Sequence, residues 1–175
     1  AMATPTVVLA SVGRAARRGL IIKGGRWLEA LARVDTVIMD KTGTVTFGTP
    51  QVTDVLSLDG LGESELLARA AAVERYSEHP VASAVLAAAE ARGLALGAPE
   101  GFDVVPGEGV VARVDGHAVA CGSVRLMARH AVKVPPPAVD RAHGLEAQGR
   151  TVVYLAQDGQ LLGLVAVADT LRPEV

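Results

Sequence analysis

The sequence predicts an α/β protein in which an antiparallel β-sheet with flanking helices is carried between two pieces of a parallel α/β unit. Three observations lead there. Asp115-Gly116 and Asp158-Gly159 each sit between runs of strand-forming residues, the pattern of a two-residue hairpin. "GESELLARAAAVERY" and "PVASAVLAAAEARG" repeat their apolar residues at helical spacing. "VDTVIM" (34–39) has few polar interruptions, as in a strand buried on both faces of a parallel sheet. A parallel unit of one or two strands cannot cover its own faces, so the chain reads as a fragment, or its missing half comes from elsewhere.

The elements follow in order. "TPTVVLASVGRAARRGL" is apolar first and basic afterwards, with Gly19 as a helix stop. On spacing alone that pattern reads first as an amphipathic surface helix, with the end of a membrane helix, where basic residues collect, as the alternative. After "VDTVIM", Gly48-Thr49-Pro50 punctuates the chain, and "QVTDVLSL" alternates as a strand with one exposed face. The helix of "GESELLARAAAVERY" has acidic residues in its first turn. The next begins at Pro80, a favoured first-turn proline, and stops at Gly93. The Asp115-Gly116 hairpin, a short helix from Val124 to His130, a triple proline and a helix through Gln148 come next. The second hairpin closes the series, and "ADTLRPEV" ends the chain.

Composition narrows the class. Half of the 175 residues are hydrophobic but only 3% are aromatic, so the core must be built of Val, Leu and Ala. A formal net charge of -2 gives no reason to expect nucleic acid as a partner. The single cysteine, Cys121, excludes an intrachain disulfide framework and a CxxC metal site, reads as a small packed residue, and suits a reducing, cytosolic setting. His117, His130 and His143 have no metal-ligand spacing. No apolar stretch reaches the roughly 18 residues of a membrane helix.

Several residues carry candidate chemistry. Asp40 follows the "VDTVIM" run, and the carboxyl ends of parallel strands are where such sheets place their sites. A carboxylate there can act as a nucleophile towards phosphorus, beside a cationic Lys41, the hydroxyl of Thr42 and a glycine-containing loop whose amides can hold phosphate. A turn ending a strand uses the same residue types. His79, directly before a helix, fits a capping residue. Gly107 and Gly109 in "VPGEGV" fit a turn or bulge.

The full "DKTGT" resembles the phosphorylation motif of the P-type ATPases of the haloacid-dehalogenase-like superfamily. The resemblance implies an incomplete, Rossmann-like phosphorylation domain with a nucleotide-binding domain inserted in it. It makes Asp40 the aspartate phosphorylated by ATP, with Lys41 and Thr42 beside it. Mg²⁺ would be held by the Asp40 carboxylate and the Thr42 backbone carbonyl. Related phosphatases have a second aspartate, a general acid/base, where Thr42 stands. Its loss slows attack of water on an aspartyl phosphate, which suits a pump better than a soluble phosphatase. A third reading, a non-catalytic adenine-nucleotide-binding module, shares the insert but needs no Asp40 chemistry.

The flanks resemble the heavy-metal-transporting, soft-metal CPx subgroup. "ATPT" is similar to the end of its Cys-Pro helix, and "GLIIKGGRWLEALARVDTVIMDKTGTVTFGTP" to the segment leading into its phosphorylation loop. "ERYSEHPVASAV" resembles the subgroup's Ser-Glu-His-Pro motif, which places Glu74 and His79 at the adenine. Gly107 and Gly109 match its Gly-x-Gly at the purine. Ser123 stands where relatives commonly have a nucleotide-contacting Asn. The implied organisation is a stalk or membrane-helix end at 1–19, the start of the phosphorylation domain at 20–50, the nucleotide-binding domain at 51–163 and a return at 164–175, where Asp169 and Arg172 lie near the domain hinge. ATP, the transported soft metal ion and the actuator and transmembrane parts of the same ATPase are the implied partners, in the cytoplasmic region of a membrane protein. The family's downstream Thr-Gly-Asp and Gly-Asp-Gly-x-x-Asn-Asp motifs do not occur in these 175 residues.

Overall fold

A computed structural model describes residues 3–58 and 60–173, and the side chains at 3, 4, 41, 42 and 171 lie outside that description. The chain divides into two compact units between Met39 and Asp40. The first holds helices α1 (Ala3–Ala16) and α2 (Gly25–Leu31). Among the described residues no helix is long and apolar enough to cross a membrane.

The second unit is one six-stranded antiparallel sheet, in spatial order β1-β6-β5-β4-β3-β2. Its strands are β1 (Thr46–Ser57), β2 (Pro99–Val105), β3 (Gly109–Val114), β4 (His117–Gly122), β5 (Thr151–Gln157) and β6 (Gln160–Leu171). Helices α3 (Glu63–Glu74) and α4 (Pro80–Ala91) follow β1; α5 (Val124–Arg129) and α6 (Pro136–Glu146) lie between β4 and β5. Both predicted hairpins form. Asp115 and Gly116, and Asp158 and Gly159, all take positive φ, the geometry whose twist matches the flanking strands.

The sheet is buried on both faces. Along β5 and β6 successive side chains point to opposite sides. Val153, Leu155, Val165 and Val167 meet Leu66, Leu67, Val73 and Val85 of α3 and α4 in one cluster. Val152, Tyr154, Leu164 and Ala166 meet Leu126 and Met127 of α5 and Ala142 of α6 in the other. This explains the nearly unbroken apolar runs of these two central strands. The alanines of α3 and α4 let the helices lie close without aromatic fillers.

Three local expectations are corrected. Residues 34–39 form no strand: among the described residues nothing pairs with them, and Val37 and Ile38 are 70% and 94% exposed. An apolar strand of this kind needs neighbours on both sides. Gly48-Thr49-Pro50 does not interrupt the chain; β1 runs through it on an edge of the sheet. An edge strand tolerates a proline, and a register shift between Thr46 and Pro50 absorbs the positive φ of Gly48. The final "ADTL" is not a separate return strand but the end of β6. α2 and β2 had no distinct signal in the sequence.

The close approach of β1 to β6 sets a clear test. A Cβ at Gly163 would fall on the Leu56 carbonyl oxygen and crowd Leu66, whereas one at Gly144, within α6, meets nothing. Gly163→Ala should therefore lower stability by about 2–4 kcal/mol, and Gly144→Ala should raise it by about 1 kcal/mol, both read from urea unfolding.

Candidate functional site

A pocket of about 280 Å³ opens where the end of α3, the start of α4 and the ends of β3, β4 and β5 converge. Glu74, His79, Gly107, Gly109 and Ser123, five residues more than thirty positions apart at their extremes, all line it, with Ser77, Val81, Val104 and Val152 among the others. The volume lies just below the roughly 300–1,000 Å³ typical of small-molecule sites.

Glu74 dominates its electrostatics. It is the last residue of α3 and only 5% exposed, and its Oε2 has no hydrogen-bond partner. Burial pushes its carboxyl above the ordinary range; hydrogen bonds from Ser77 and Cys121 and the nearby His79 oppose that shift without cancelling it. Buried polar atoms are almost always satisfied, so an orphaned oxygen on a pocket-lining carboxyl group calls for an explanation.

The neighbouring residues are fixed by ordinary backbone chemistry. His79 caps α4, its Nδ1 accepting from the Val81 N–H at 3.2 Å. That bond assigns the ring proton to Nε2 and leaves it as a donor. Ser77 donates its N–H to the Glu74 carbonyl at 2.9 Å, and its hydroxyl accepts from the His79 N–H at 3.3 Å. Tyr76 meets Phe102 of β2 edge to face with centroids 6.0 Å apart, tying the 75–79 segment to the sheet. Ser123 caps α5 through its Oγ, which accepts from the Leu126 N–H at 3.4 Å.

The two glycines differ. At Gly107, with positive φ, an added Cβ meets nothing, so the space above it is open. At Gly109 it would fall on the Cys121 carbonyl and on the Cα of Gly122, its ladder partner. The chain's own packing already requires glycine at 109, a reason the sequence did not disclose. Ser77 and Cys121 were also missed as contacts of Glu74. The i, i+3 spacing of Glu74 and Ser77 was the available signal for the first; Cys121 comes from another strand and had none.

Asp40 is exposed and is not among the residues lining this pocket. It precedes a π-helical turn, Lys41–Val45, a rare wide turn frequent at functional sites. The side chains of Lys41 and Thr42 lie outside the described residues. The segment after the turn is clamped from β6. The Asp169 carboxylate accepts from the Gly48 N–H at 3.0 Å, the Thr49 N–H at 3.2 Å and the hydroxyl of buried Thr46. Arg172 donates to the carbonyls of Thr46 at 3.1 Å and Gly43 at 3.4 Å and lies 5.0 Å from the Phe47 ring centre. Among the described residues no group of three or more Asp, Glu, His or Cys side chains forms a metal site, so Asp40 alone does not fit a complete Mg²⁺ centre.

Comparison with known proteins defines the class. Residues 34–175 match the family model of the haloacid dehalogenase-like hydrolases, and the chain belongs to that family. Within it, the homologues are P-type ATPases. The chain is 43% identical over 173 residues to a probable copper-exporting P-type ATPase of Mycobacterium tuberculosis, covering 99% of this chain and 22% of that protein. It is 41% identical over 171 residues to a copper-exporting P-type ATPase of Legionella pneumophila, covering 98% of this chain and 23% of the relative. The chain thus spans between a fifth and a quarter of the length of these relatives. Among solved structures, a zinc-transporting PIB-type ATPase in its E2.Pi state matches with a TM-score of 0.80 at 40% identity, over 98% of this chain and 27% of that one. The N-domain of a copper-transporting P-type ATPase matches with a TM-score of 0.57 at 35% identity, over 67% of this chain and 99% of that domain.

The raised Glu74 carboxyl has a pH signature. The folded chain holds this proton more tightly than the unfolded one, so its contribution is complete below the ordinary value of 4.5 and is lost as pH rises through the elevated folded value. The difference in urea midpoint between wild type and Glu74→Gln should grow in favour of the variant across that rise and stay flat at higher pH. A difference independent of pH would contradict the assignment.

Proposed function

We propose that this chain is the ATP-binding and phosphorylation-site region of a P-type ATPase that exports a soft metal ion such as copper, zinc or cadmium. The observation that carries the adenine site is the buried, unpartnered Oε2 of Glu74 at a pocket shared with His79, Gly107, Gly109 and Ser123. In this reading Oε2 accepts the exocyclic amine of adenine. Guanine presents a carbonyl at that position, and two facing acceptors leave both unsatisfied. The Nε2–H of His79 orients the nucleotide from the mouth, and the open space above Gly107 admits the flat ring. The pocket suits the base rather than a whole nucleotide, so the phosphates extend outwards.

Asp40 is the proposed nucleophile. Its carboxylate oxygen attacks the γ-phosphorus of ATP, the bond to the bridging oxygen breaks and ADP leaves. In-line transfer needs cationic charge to neutralise the equatorial oxygens, which Lys41 and Mg²⁺ would supply together with carboxylates elsewhere in the parent. The metal ion, the actuator and the transmembrane parts are partners of the full protein, whose cytoplasmic side this region would occupy. The isolated chain is expected to bind ATP with little turnover.

Calorimetric titration of the chain tests the site. ATP should bind and GTP should not, and Glu74→Ala should weaken ATP by about tenfold or more. Equal affinity for the two nucleotides would refute adenine recognition. In the full-length parent, Asp40→Asn should abolish acid-stable labelling from [γ-³²P]ATP while leaving ATP binding intact. A separate variant addresses the shorter side chain at 123. Ser123→Asn keeps the helix cap and extends the reach into the pocket, so ATP affinity should rise about three- to tenfold.

A further inference from the structure

We infer that Arg129 is a positioning residue for nucleotide binding: its two-pronged bond to Glu108 holds the glycine turn that walls one side of the pocket. The inference rests on the adenine reading of that pocket and goes beyond it, because it assigns affinity to a residue outside the lining.

The wall is the turn between β2 and β3. Val105, Gly107, Glu108 and Gly109 all line the pocket. Val105 pairs with Gly109, and the Glu108 N–H donates to the Val105 carbonyl at 2.9 Å. Pro106 and Gly107 lie between, and Gly107 has a φ of 71°. A proline followed by a positive-φ glycine is the pattern of a type II turn. The hairpins at Asp115-Gly116 and Asp158-Gly159 take positive φ at both central residues, the form whose twist matches the strands. A type II turn matches that twist poorly, and glycine at 107 and 109 leaves the backbone other conformations to choose from. Such a turn is poorly ordered unless something outside holds it.

One short segment supplies the hold. The Ser123 N–H donates to the Glu108 carbonyl at 2.7 Å. Arg129 donates to the two Glu108 carboxylate oxygens, from Nε at 2.9 Å and from Nη2 at 2.7 Å. Arg125 reaches the Gly107 carbonyl with Nη2, at the long distance of 3.5 Å. Arg125 and Arg129 are an i, i+4 pair on α5, so they share one face of it. Both are exposed, whereas Leu126 and Met127 are completely buried in the second core cluster. The helix is thus a fixed post from which the arginines reach the turn. The Glu108 side chain is only 17% exposed, so its carboxylate has little water to turn to instead. A bidentate pair of this kind fixes orientation as well as distance. The bond from Arg129 holds the Glu108 carboxyl below its ordinary range, which keeps the pair ionised at neutral pH. Ordering a glycine turn before the ligand arrives removes a cost that binding would otherwise carry. The turn walls the base site, so the gain is the same however many phosphates follow.

The experiment separates a held wall from a phosphate contact. Dissociation constants for ATP and AMP are measured by calorimetry for wild type, Arg129→Ala, Glu108→Gln and the double variant, and ¹⁵N relaxation follows the glycine amides. Arg129→Ala should weaken ATP and AMP by the same factor, about two- to fivefold. It should also lower the order parameters at Gly107 and Gly109 while those at Gly116 and Gly159 stay unchanged. Glu108→Gln should weaken both nucleotides too, and the double variant should be no worse than Arg129→Ala alone. Arg129→Lys keeps the charge without the fork and should recover only part of the loss. A loss for ATP with none for AMP would overturn the inference by making Arg129 a phosphate contact. Tighter ATP binding in Glu108→Gln would overturn it in favour of simple charge. Unchanged order at both glycines in Arg129→Ala would mean that the pair restrains nothing. If the wild-type chain bound neither nucleotide, the adenine reading itself would fall and take the binding role with it, whatever the relaxation showed.

Discussion

The pairing of β1 with β6 is the constraint on which the rest of the second unit depends. These strands lie at the two ends of the sheet's sequence and run beside each other over most of their lengths, so every element between them is a closed excursion. Closing so long a loop costs chain entropy before any contact repays it, though the cost rises only slowly with length. The repayment is concentrated: Val55, Val165 and Val167 are buried against α3 and α4, and Gly163 allows the two backbones to meet. At its far end the ladder is finished by polar contacts. Asp169 and Arg172 collect the amides and carbonyls that a bulged edge strand leaves unpaired. The turn after Asp40 therefore owes its order to residues more than a hundred positions later.

The same sheet explains why a carboxylate can be kept in an expensive place. Glu74 occupies the end of a helix whose other buried residues are Leu, Ala and Val. Leaving one oxygen unsatisfied there opposes folding, by about 1–3 kcal/mol for a polar group of this kind. The burial of the apolar face of α3 against the sheet outweighs it. Gln or Leu at 74 would avoid that cost, and in the proposed function the acid is there for binding rather than for stability. In the proposed function the adenine amine supplies the missing donor.

Legibility in the sequence followed the range of the interactions. The hairpins, α3, α4, α5 and α6 were readable because their causes are local: positive-φ turn pairs, Pro80 and Gly93, and apolar spacing. The five lining residues were readable through short motifs, three of which coincide with helix caps or chain bends. What stayed hidden was set by distant partners. Gly109 looks like a turn residue until the Cys121 carbonyl is seen against it. Thr46 looks like a loop residue until Asp169 buries it. Residues 34–39 carry a strong strand pattern and form none, because a pattern specifies a face and not the neighbour that must cover it.

At Ser123 the demands of the fold can be separated from those of the proposed site. Both Ser and Asn are strong helix N-caps, so either satisfies the Leu126 amide and starts α5. The Ser123 N–H also bonds the Glu108 carbonyl at 2.7 Å through the backbone, independent of side chain. Folding therefore does not discriminate between the two residues. Only the reach beyond the cap differs: an amide carries two further donors on a longer stem, whereas the serine hydroxyl, already accepting at the cap, has one proton left to give. Any selection between them must act through the pocket. In the proposed function that makes position 123 a control on nucleotide affinity, with Glu74 left to decide which base is bound.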